Sequence, residues 1–381
     1  MHISHFASFQ GNIGDVASQR AFREWFASLF PFLEITWKSL EIRKFFRNAN
    51  YKWEGMRNEL SQTDCFIIGG GNFLELWPEN SPTGTSLPFS ISEMDSITIP
   101  IFINSVGVDD GQGIGKAAKE NFGEFINHFA NSSRNFLSVR NDGSFNVMKR
   151  FLSPGNWGKC YEIPDHAFFT KWKIAPKNHL SSRFILGINL AIDLERLRFK
   201  SFDNNPEKFL EKFAITLNRL CREYDELEIR LIPHMYSDIK AFAFLLEKMQ
   251  DEYRRERVTI SDLDCRENSE VFLQAYSGLN GLIAMRFHSH VFGIVNKIPL
   301  FSLNSYSQIN KLLENYGLER IDNYNFREEY EKLESKLTSF VHSLNDDKNR
   351  FEGYQQFLID IEEKREIAGR ALRDWLIREI R

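Results

Sequence analysis

Short apolar runs alternate with longer amphipathic segments along most of the chain. The runs HISHFASF from His2, DCFIIGGG from Asp64, ITIPIFINSVG from Ile97 and NFLSVR from Asn135 are rich in β-prone residues and end in glycine or a polar residue. Helix-period segments such as VASQRAFREWFASLF separate them. Strands that alternate with helices at this spacing predict parallel sheets covered by helices.

The alternation restarts after the polar stretch KWKIAPKNHLSS at residues 171–182. The predicted strands of this half are RFILGINLAI, ELEIRLIP, RVTIS, GLIAMRF and PLFSLN. The two blocks predict an α/β protein with two Rossmann-like, doubly wound domains at residues 1–176 and 177–325. Charged amphipathic helices are predicted for residues 326–381, and we expect them to pack back on the N-terminal domain.

Composition restricts the class of function. The chain has 381 residues, enough for two domains, and a net charge of −4, which argues against nucleic acid as a partner. Its four cysteines stand singly, so they indicate neither a zinc site nor a disulfide framework. The first residues lack a signal-peptide pattern, and no apolar run is long enough to span a membrane. We therefore expect a reduced, cytoplasmic protein.

Polar residues and glycines follow the predicted strands, which is where open α/β sheets bind ligands. In order along the chain they include Asn12, Gly14, Asp15, Gly70, Gly71, Asn72, Arg140, His234, Asp238, Arg286 and His288. We expect the two sets of strand ends to face one cleft. Each glycine loop taken alone predicts a plain turn, whereas the loops together favour backbone N–H groups that approach an anion.

The stretch MRFHSHVFG, from Met285 to Gly293, places an arginine and two histidines in an otherwise apolar run. A buried arginine needs an anionic partner. Arg286 at a strand end, with His288 two residues later, fits the binding of a phosphate or carboxylate and the delivery of a proton to it. His290 would complete a pair of metal ligands, but no third ligand stands at a telling spacing, so we predict no metal site.

The order of these motifs resembles the polysaccharide pyruvyl transferase family, from about residue 9 to about residue 320. The matching pieces are GNIGD, GGGNF, SVRNDGS, PDHAF, PHMYSD and MRFHSHVFGIVNKIPLF, followed by a loop that contains Tyr306. The chain departs from the family pattern at Asn141, where an aspartate is usual, and at His290, where the residue is usually apolar or small. Ile309 stands where many relatives have a lysine, and the nearest lysine is Lys311.

The resemblance implies a GT-B-like fold, phosphoenolpyruvate as the donor, and no cofactor. The implied acceptor is a hexose of a surface polysaccharide or of its lipid-linked precursor, two hydroxyls of which form a cyclic pyruvate ketal. His288 is the implied acid, and Asp15 or Asp238 is the implied carboxylate beside the cationic intermediate. The implied substrate-binding residues are Arg140, Arg286, Asn12, Gly14, Gly70, Gly71, Asn72, His234, Ser144 and Lys311. Arg140 and Arg286 would each pair with one anionic group of the donor.

Two alternatives for the function stay open. A GT-B glycosyltransferase would use the same cations to bind a sugar nucleotide, and the departures at Asn141 and Ile309 favour an inactive carbohydrate-binding relative. Residues 36–57 and 363–381 combine basic side chains with aromatic ones, which favours peripheral contact with the anionic inner face of the cytoplasmic membrane. The alternative for these segments is that the same apolar residues pack in the core.

Overall fold

The structure is a computed structural model, and it describes residues 1–47, 53–171, 184–315, 321–344 and 352–380. The chain divides into two compact units. Unit 1 contains Met1–Gln10, Asp15–Thr170 and Ile359–Arg381, and unit 2 contains Gly11–Gly14 and Lys171–Leu358. Each unit is built on its own parallel sheet.

Unit 1 has a parallel sheet of six strands. These are β1 (His2–Ala7), β2 (Thr36–Glu41), β3 (Cys65–Gly69), β5 (Ile101–Val106), β7 (Asn135–Val139) and β8 (Cys160–Glu162). They lie in the order β2-β1-β3-β5-β7-β8, so the direction of winding reverses between β1 and β3. A separate parallel pair joins β4 (Leu74–Glu75) to β6 (Val108–Asp109).

Both faces of this sheet are buried, as is usual for parallel strands covered by helices. Along β3, Phe66 and Ile68 belong to one apolar cluster, whereas Cys65 and Ile67 belong to a second cluster on the opposite face. The α-helices of this half are α1 (Ile13–Leu29), α2 (Ile42–Arg47), α3 (Trp53–Leu60), α4 (Ile91–Asp95), α5 (Gly123–Asn131) and α6 (Ser144–Met148). Burial on two faces explains why this strand is continuously apolar in the sequence.

Unit 2 has a second parallel sheet of six strands. These are β9 (Phe184–Ile188), β10 (Leu227–Leu231), β11 (Val258–Ile260), β12 (Gly281–Ala284), β13 (Leu300–Asn304) and β14 (Asp322–Asn325). They lie in the order β11-β10-β9-β12-β13-β14, which is the strand order of Rossmann domains. The winding reverses between β9 and β12, and this reversal is the usual place for a ligand.

The helices of unit 2 follow from local sequence signals. They are α7 (Glu195–Arg198), α8 (Pro206–Glu223), α9 (Tyr236–Lys248), α10 (Asp251–Glu256), α11 (Val271–Ala275), α12 (Phe287–Val295), α13 (Ser307–Asn315) and α14 (Tyr330–Ser343). In α8, the Asn205 side chain accepts a hydrogen bond from the N–H of Glu207 at 2.9 Å, and Pro206 occupies the first turn. Phe209 and Phe213 of the same helix lie in the core of the unit.

The C-terminal helices divide between the units, which differs from the prediction that residues 326–381 pack together on the N-terminal domain. The apolar face of α14, including Leu333 and Leu337, lies in the core of unit 2. The last helix, α15 (Glu352–Glu379), buries Leu372 and Trp375 in a cluster of unit 1. The predicted boundary between residues 176 and 177 lies outside the described residues.

The aromatic side chains that the structure describes in residues 36–57 pack against the apolar clusters of unit 1. Trp37 of β2 packs edge-on against Phe22, and Phe45 of α2 packs against Phe6. An aromatic ring that packs against the core does not serve as an anchor in a membrane interface. The described aromatic residues of this segment therefore fit the alternative in which they pack within the protein. Membrane contact through its basic residues stays a prediction.

The basic residues of this segment are partly paired within unit 1. Lys38 forms an ion pair with Glu59, Arg43 lies 3.4 Å from Asp15, and Lys52 lies outside the described residues. Within the described ranges, no helix combines the length and the apolar character needed to cross a bilayer.

Candidate active site

The point of reversal in the sheet of unit 2 is held together by Asn189, which directly follows β9. Its backbone N–H donates to the carbonyl of Ile283 at 2.9 Å, and its side-chain amide donates to the carbonyl of Ile232 at 2.9 Å. Its side-chain oxygen accepts a hydrogen bond from the N–H of Arg286 at 3.0 Å. One fully buried amide therefore joins the ends of three neighbouring strands and sets the backbone position of Arg286.

Arg286 is buried and lies between two carboxylates. Its Nε donates to Oδ2 of Asp238 at 2.9 Å, and its Nη2 donates to Oδ1 of Asp193 at 3.0 Å. Burial by itself would lower the pKa of Arg286, but Asp238 and then Asp193 raise that pKa above its ordinary value. The guanidinium is thus a permanent charge at the edge of the sheet where open α/β proteins usually bind ligands, and it has the anionic partners that the sequence analysis expected of a buried arginine.

Asp238 lies behind this arginine and is fully buried. Besides Arg286, its Oδ2 accepts hydrogen bonds from the N–H groups of His234 at 2.9 Å and Met235 at 3.1 Å, at the start of α9. Its oxygens are therefore directed at groups of the protein itself. The sequence analysis offered Asp238 as a carboxylate beside the reacting carbon, whereas this geometry makes it the residue that positions Arg286.

His288 is the second residue of α12 and lies against the glycine-containing segment at residues 11–14. A Cβ atom added to Gly14 would lie 2.3 Å from Cγ and Nδ1 of the imidazole, so a side chain larger than glycine would have to displace the ring. The N–H of Ile13 donates to the carbonyl of His234 at 3.0 Å, and the N–H of Gly14 donates to Oδ1 of Asn12 at 2.9 Å. Gly14, the second glycine of GNIGD, therefore leaves room for the imidazole of His288.

The other two histidines of this region lie in the interior. His234 is fully buried, its Nε2 is 2.6 Å from the Tyr276 hydroxyl, and burial with a smaller effect of Arg286 holds its pKa well below the ordinary value. The Nδ1 of His290 is 2.9 Å from the carbonyl oxygen of Arg286, and its Nε2 is 2.6 Å from the Ser302 hydroxyl. His234, predicted as a substrate contact, is thus enclosed by protein.

His290 stands two residues after His288 and is fully buried. Burial lowers the pKa of His290 to about 4, so this ring is neutral at physiological pH. Among the residues that the structure describes, no group of three or more histidine, cysteine, aspartate or glutamate side chains is placed to hold a metal ion.

Arg140 of unit 1 lies in a closed ion-pair network. Its Nε and Nη2 donate to Oδ2 of Asp142 at 2.8 and 2.6 Å, and its Nη1 lies 3.5 Å from Oδ2 of Asp165. Ser144, predicted as a substrate contact, donates to Asp142 and accepts a hydrogen bond from the N–H of Val108 at 2.7 Å. Arg140, Asp142 and Asp165 are all buried, so this network neutralises the arginine from within the protein.

The glycines after β3 accommodate side chains of unit 1. A Cβ atom on Gly70 would lie 2.6 Å from Oε1 of Gln19, whose amide donates to the carbonyl of Gly70 at 2.5 Å. Gly71 is buried beside Phe73, and Asn72 donates to Oδ2 of Asp109 at 2.9 Å. The packing accounts for these glycines through close protein contacts, whereas the sequence analysis interpreted them as room for an anion.

Two other predicted residues lie at helix ends or on helix surfaces. Asp15 is in the first turn of α1, partly exposed, and 3.4 Å from Arg43. Lys311 is a partly buried residue of α13.

Two charged residues of this region were not among the predicted site residues. Asp193 precedes α7 and Arg198 is its last residue; Asp193 pairs with Arg286, and Arg198 lies 3.7 Å from Asp193. The signal was present in the sequence, because the charged stretch DLERLR comes directly after the strand run RFILGINLAI. It was overlooked because a charged stretch at the start of a helix usually faces solvent.

The chain is similar in fold to solved structures of a putative epimerase, of MnaA with UDP and of a glycosyltransferase. The putative UDP-N-acetylglucosamine 2-epimerase from Listeria monocytogenes superposes with a TM-score of 0.57 at 10% identity, covering 96% of this chain and 94% of that one. The MnaA–UDP structure from S. aureus gives 0.52 at 11% identity, with 93% and 90% covered. The glycosyltransferase SnogD from Streptomyces nogalater gives 0.50 at 11% identity, with 98% and 99% covered. These similarities confirm the predicted GT-B-like fold.

Sequence comparison identifies the family. No curated protein matches the chain significantly. A family model for polysaccharide pyruvyl transferase, however, matches residues 12–307, a region that begins within the GNIGD motif and ends just after Tyr306. This match confirms the resemblance seen in the order of the motifs, and it shows that the chain belongs to the polysaccharide pyruvyl transferase family.

Proposed function

We propose that the protein transfers the enolpyruvyl group of phosphoenolpyruvate to two hydroxyls of a hexose and forms a cyclic pyruvate ketal. The observation that carries the proposal is the pair formed by Arg286 and His288 at the point of reversal in the sheet of unit 2. There a buried guanidinium is followed, two residues later, by an imidazole that a glycine segment packs against. A doubly anionic donor needs the first group, and protonation of its methylene carbon needs the second.

The proposed reaction assigns each step to a group of the chain. Arg286 pairs with an anionic group of the donor, and His288 gives a proton to C3 as an acceptor hydroxyl adds to C2. The bond between C2 and the phosphate oxygen then breaks, and a second hydroxyl closes the ketal ring. Of the two hydroxyl protons, one restores the acid form of His288 and the other leaves with the phosphate. Asp15, which is partly exposed, is the carboxylate that we propose beside the cationic intermediate. Charge pairing and proton transfer suffice for these reaction steps, so the proposal includes no cofactor.

The acceptor that we propose is a sugar of a bacterial exopolysaccharide or capsule, or of its lipid-linked precursor. The family name supports a polysaccharide-type acceptor. We further propose that the reaction takes place in the cytoplasm, with a lipid-linked acceptor at the inner face of the membrane.

The test is incubation of the protein with phosphoenolpyruvate and a panel of nitrophenyl or lipid-linked glycosides. We expect release of phosphate that depends on the glycoside, and a pyruvate ketal in the product by mass spectrometry. Release of UDP from a sugar nucleotide, without consumption of phosphoenolpyruvate, would instead support the glycosyltransferase alternative.

A further inference from the structure

Asp193 is shared by two buried arginines of unit 2. Its carboxylate accepts hydrogen bonds from Nη2 of Arg286 at 3.0 Å and from Nη1 at 3.4 Å, and Nε of Arg198 lies 3.7 Å from its Oδ1. The side chain of Asp193 is 34% exposed, whereas that of Asp238 on the same arginine is 0% exposed. Asp193 is therefore the carboxylate of this cluster that solvent reaches.

Arg198 is held near this carboxylate by partners other than a second acid. Its Nη1 donates to the Ser305 hydroxyl at 2.7 Å, its Nε donates to the carbonyl of Asp193 at 3.1 Å, and its guanidinium lies 5.7 Å from the ring centre of Tyr306. Burial lowers the pKa of Arg198 to about 10, Asp193 opposes this effect, and the charge of Arg286 adds to it. Arg198 remains a cation at neutral pH, and its charge is only partly compensated.

The backbone beside Asp193 is strained. Leu194 adopts a left-handed conformation with φ of +57°, which is rare for a residue with a branched side chain, and 45% of its surface is exposed. A non-glycine residue in this region is sterically unfavourable. Movement of residues 193 and 194 would release part of that strain, which offsets part of the cost of breaking the hydrogen bonds between Asp193 and Arg286.

The charge balance around Arg198 and Arg286 would change if the Asp193 carboxylate moved away from them. With Asp193 in place, the two arginines face two aspartates, and without it they face Asp238 alone. The position that Asp193 vacates presents guanidinium N–H groups from two arginines, and this geometry matches a phosphate or a carboxylate.

We propose that Asp193 is a displaceable counterion that occupies the donor's anion site in the free enzyme, and that Arg198 is the second cation of that site. This inference rests on the proposed function and extends it to two residues. An anionic group of the donor takes the place of the Asp193 carboxylate between Arg198 and Arg286. When phosphate leaves at the end of the reaction, Asp193 returns and helps to release it.

The test measures binding of phosphoenolpyruvate and of inorganic phosphate by titration calorimetry at fixed ionic strength. Asp193→Asn removes the internal competitor, so we expect the Kd of both anions to fall on the order of tenfold, which corresponds to a binding-competent fraction of roughly a tenth. Asp193→Glu keeps the competitor and should not tighten binding. Arg198→Gln should raise both Kd values by a similar factor. Asp203→Asn, which removes a charge from an exposed ion pair with Lys208, is the control and should leave both unchanged.

Tighter binding is the diagnostic result, because loss of a carboxylate that merely supports the fold would weaken binding. Unchanged or weaker binding in Asp193→Asn would overturn the proposal, as would unchanged binding in Arg198→Gln, or no binding of either anion by any variant. In turnover, Asp193→Asn should lower the KM for phosphoenolpyruvate and make phosphate a stronger product inhibitor. Failure of the proposed function has a different signature. The phosphate affinities would still follow the predicted order, but no glycoside would acquire a pyruvate ketal from phosphoenolpyruvate.

Discussion

Arg140 of unit 1 and Arg286 of unit 2 can be compared directly by their burial and their carboxylate partners. Each directly or closely follows a buried strand, each is at most 7% exposed, and each lies between two aspartates. The difference is in the carboxylates. Both partners of Arg140 are buried, with side chains 0% and 2% exposed, whereas one partner of Arg286 is 34% exposed.

This difference indicates that burial alone does not make an arginine a ligand-binding residue. A guanidinium whose partners are all enclosed contributes to the fold, because removal of any one of them leaves a buried charge unpaired. A guanidinium with one partner at the surface can exchange that partner for a ligand. We therefore expect Arg140 to act mainly through stability and Arg286 to act in donor binding, although the sequence analysis assigned both to the donor.

The largest effect should come from His288→Asn. We expect kcat to fall about 10²–10⁴-fold, the range for loss of a general acid, while the Kd for phosphoenolpyruvate stays close to that of the wild type. Steady-state kinetics with calorimetric binding would measure both quantities. A parallel loss of donor affinity would mean that the imidazole binds the donor instead of protonating it.

Substitution of Arg140 tests the comparison itself. Arg140→Met leaves Asp142 and Asp165 buried without their cation, so we expect the free energy of unfolding to fall by about 3–5 kcal/mol. Urea unfolding would measure the loss, and phosphoenolpyruvate binding well below the melting temperature should persist. Arg286→Met is the matched variant and should lose donor binding even where it is folded. A folded Arg140→Met protein without donor affinity would break the comparison.

Gly14→Ala tests the packing of the glycine segment on the imidazole. The added Cβ would come within 2.3 Å of the His288 ring, so the ring or the segment must move. Because a displacement of about 1 Å costs on the order of 10²-fold in rate, we expect a loss of kcat of that order. Gly155→Ala, which adds a Cβ with no neighbour within 4 Å, is the control. Equal activities of the two variants would show that the contact is unimportant for turnover.

The smallest effect concerns pH, and it should appear in both units. Burial lowers the pKa of His166 in unit 1 to about 3 and that of His290 in unit 2 to about 4, against about 6.5 in an unfolded chain. Below pH 6.5 the unfolded chain binds protons that these folded rings do not. The free energy of unfolding therefore decreases as the pH is lowered from 6.5 to the pKa of the folded ring. Each histidine contributes about 1.4 kcal/mol per pH unit in this window.

Unfolding free energies measured in urea between pH 7 and pH 4.5 would give this slope. His166→Asn and His290→Asn should each reduce it by one histidine's share, and each should also lower stability at pH 7 through lost hydrogen bonds. A slope that is the same in the variants and the wild type would show that the two rings do not titrate on unfolding.

Much of the fold could be predicted because apolar runs determine where parallel strands lie. The run from Cys65 and the runs that include β9 and β12 were identified as strands, and two doubly wound blocks followed from their spacing. The strand β2 was missed because it lies at the edge of its sheet and has only two apolar residues, Trp37 and Leu40, among polar ones. The destination of α14 was also missed, since an amphipathic stripe shows that a helix packs without showing on what.

The sequence by itself determined the family, the alternation of strands and helices, and the presence of an arginine and a histidine at one strand end. Only the tertiary structure decided which charged groups are enclosed and which are accessible. Asp165 reaches Arg140 from a position 25 residues later, and Asp193 reaches Arg286 from a position 93 residues earlier. Residues so far apart meet through the strand order of a sheet. Whether a carboxylate can then yield to a ligand depends on its exposure, a property of the packed chain and not of the residue type.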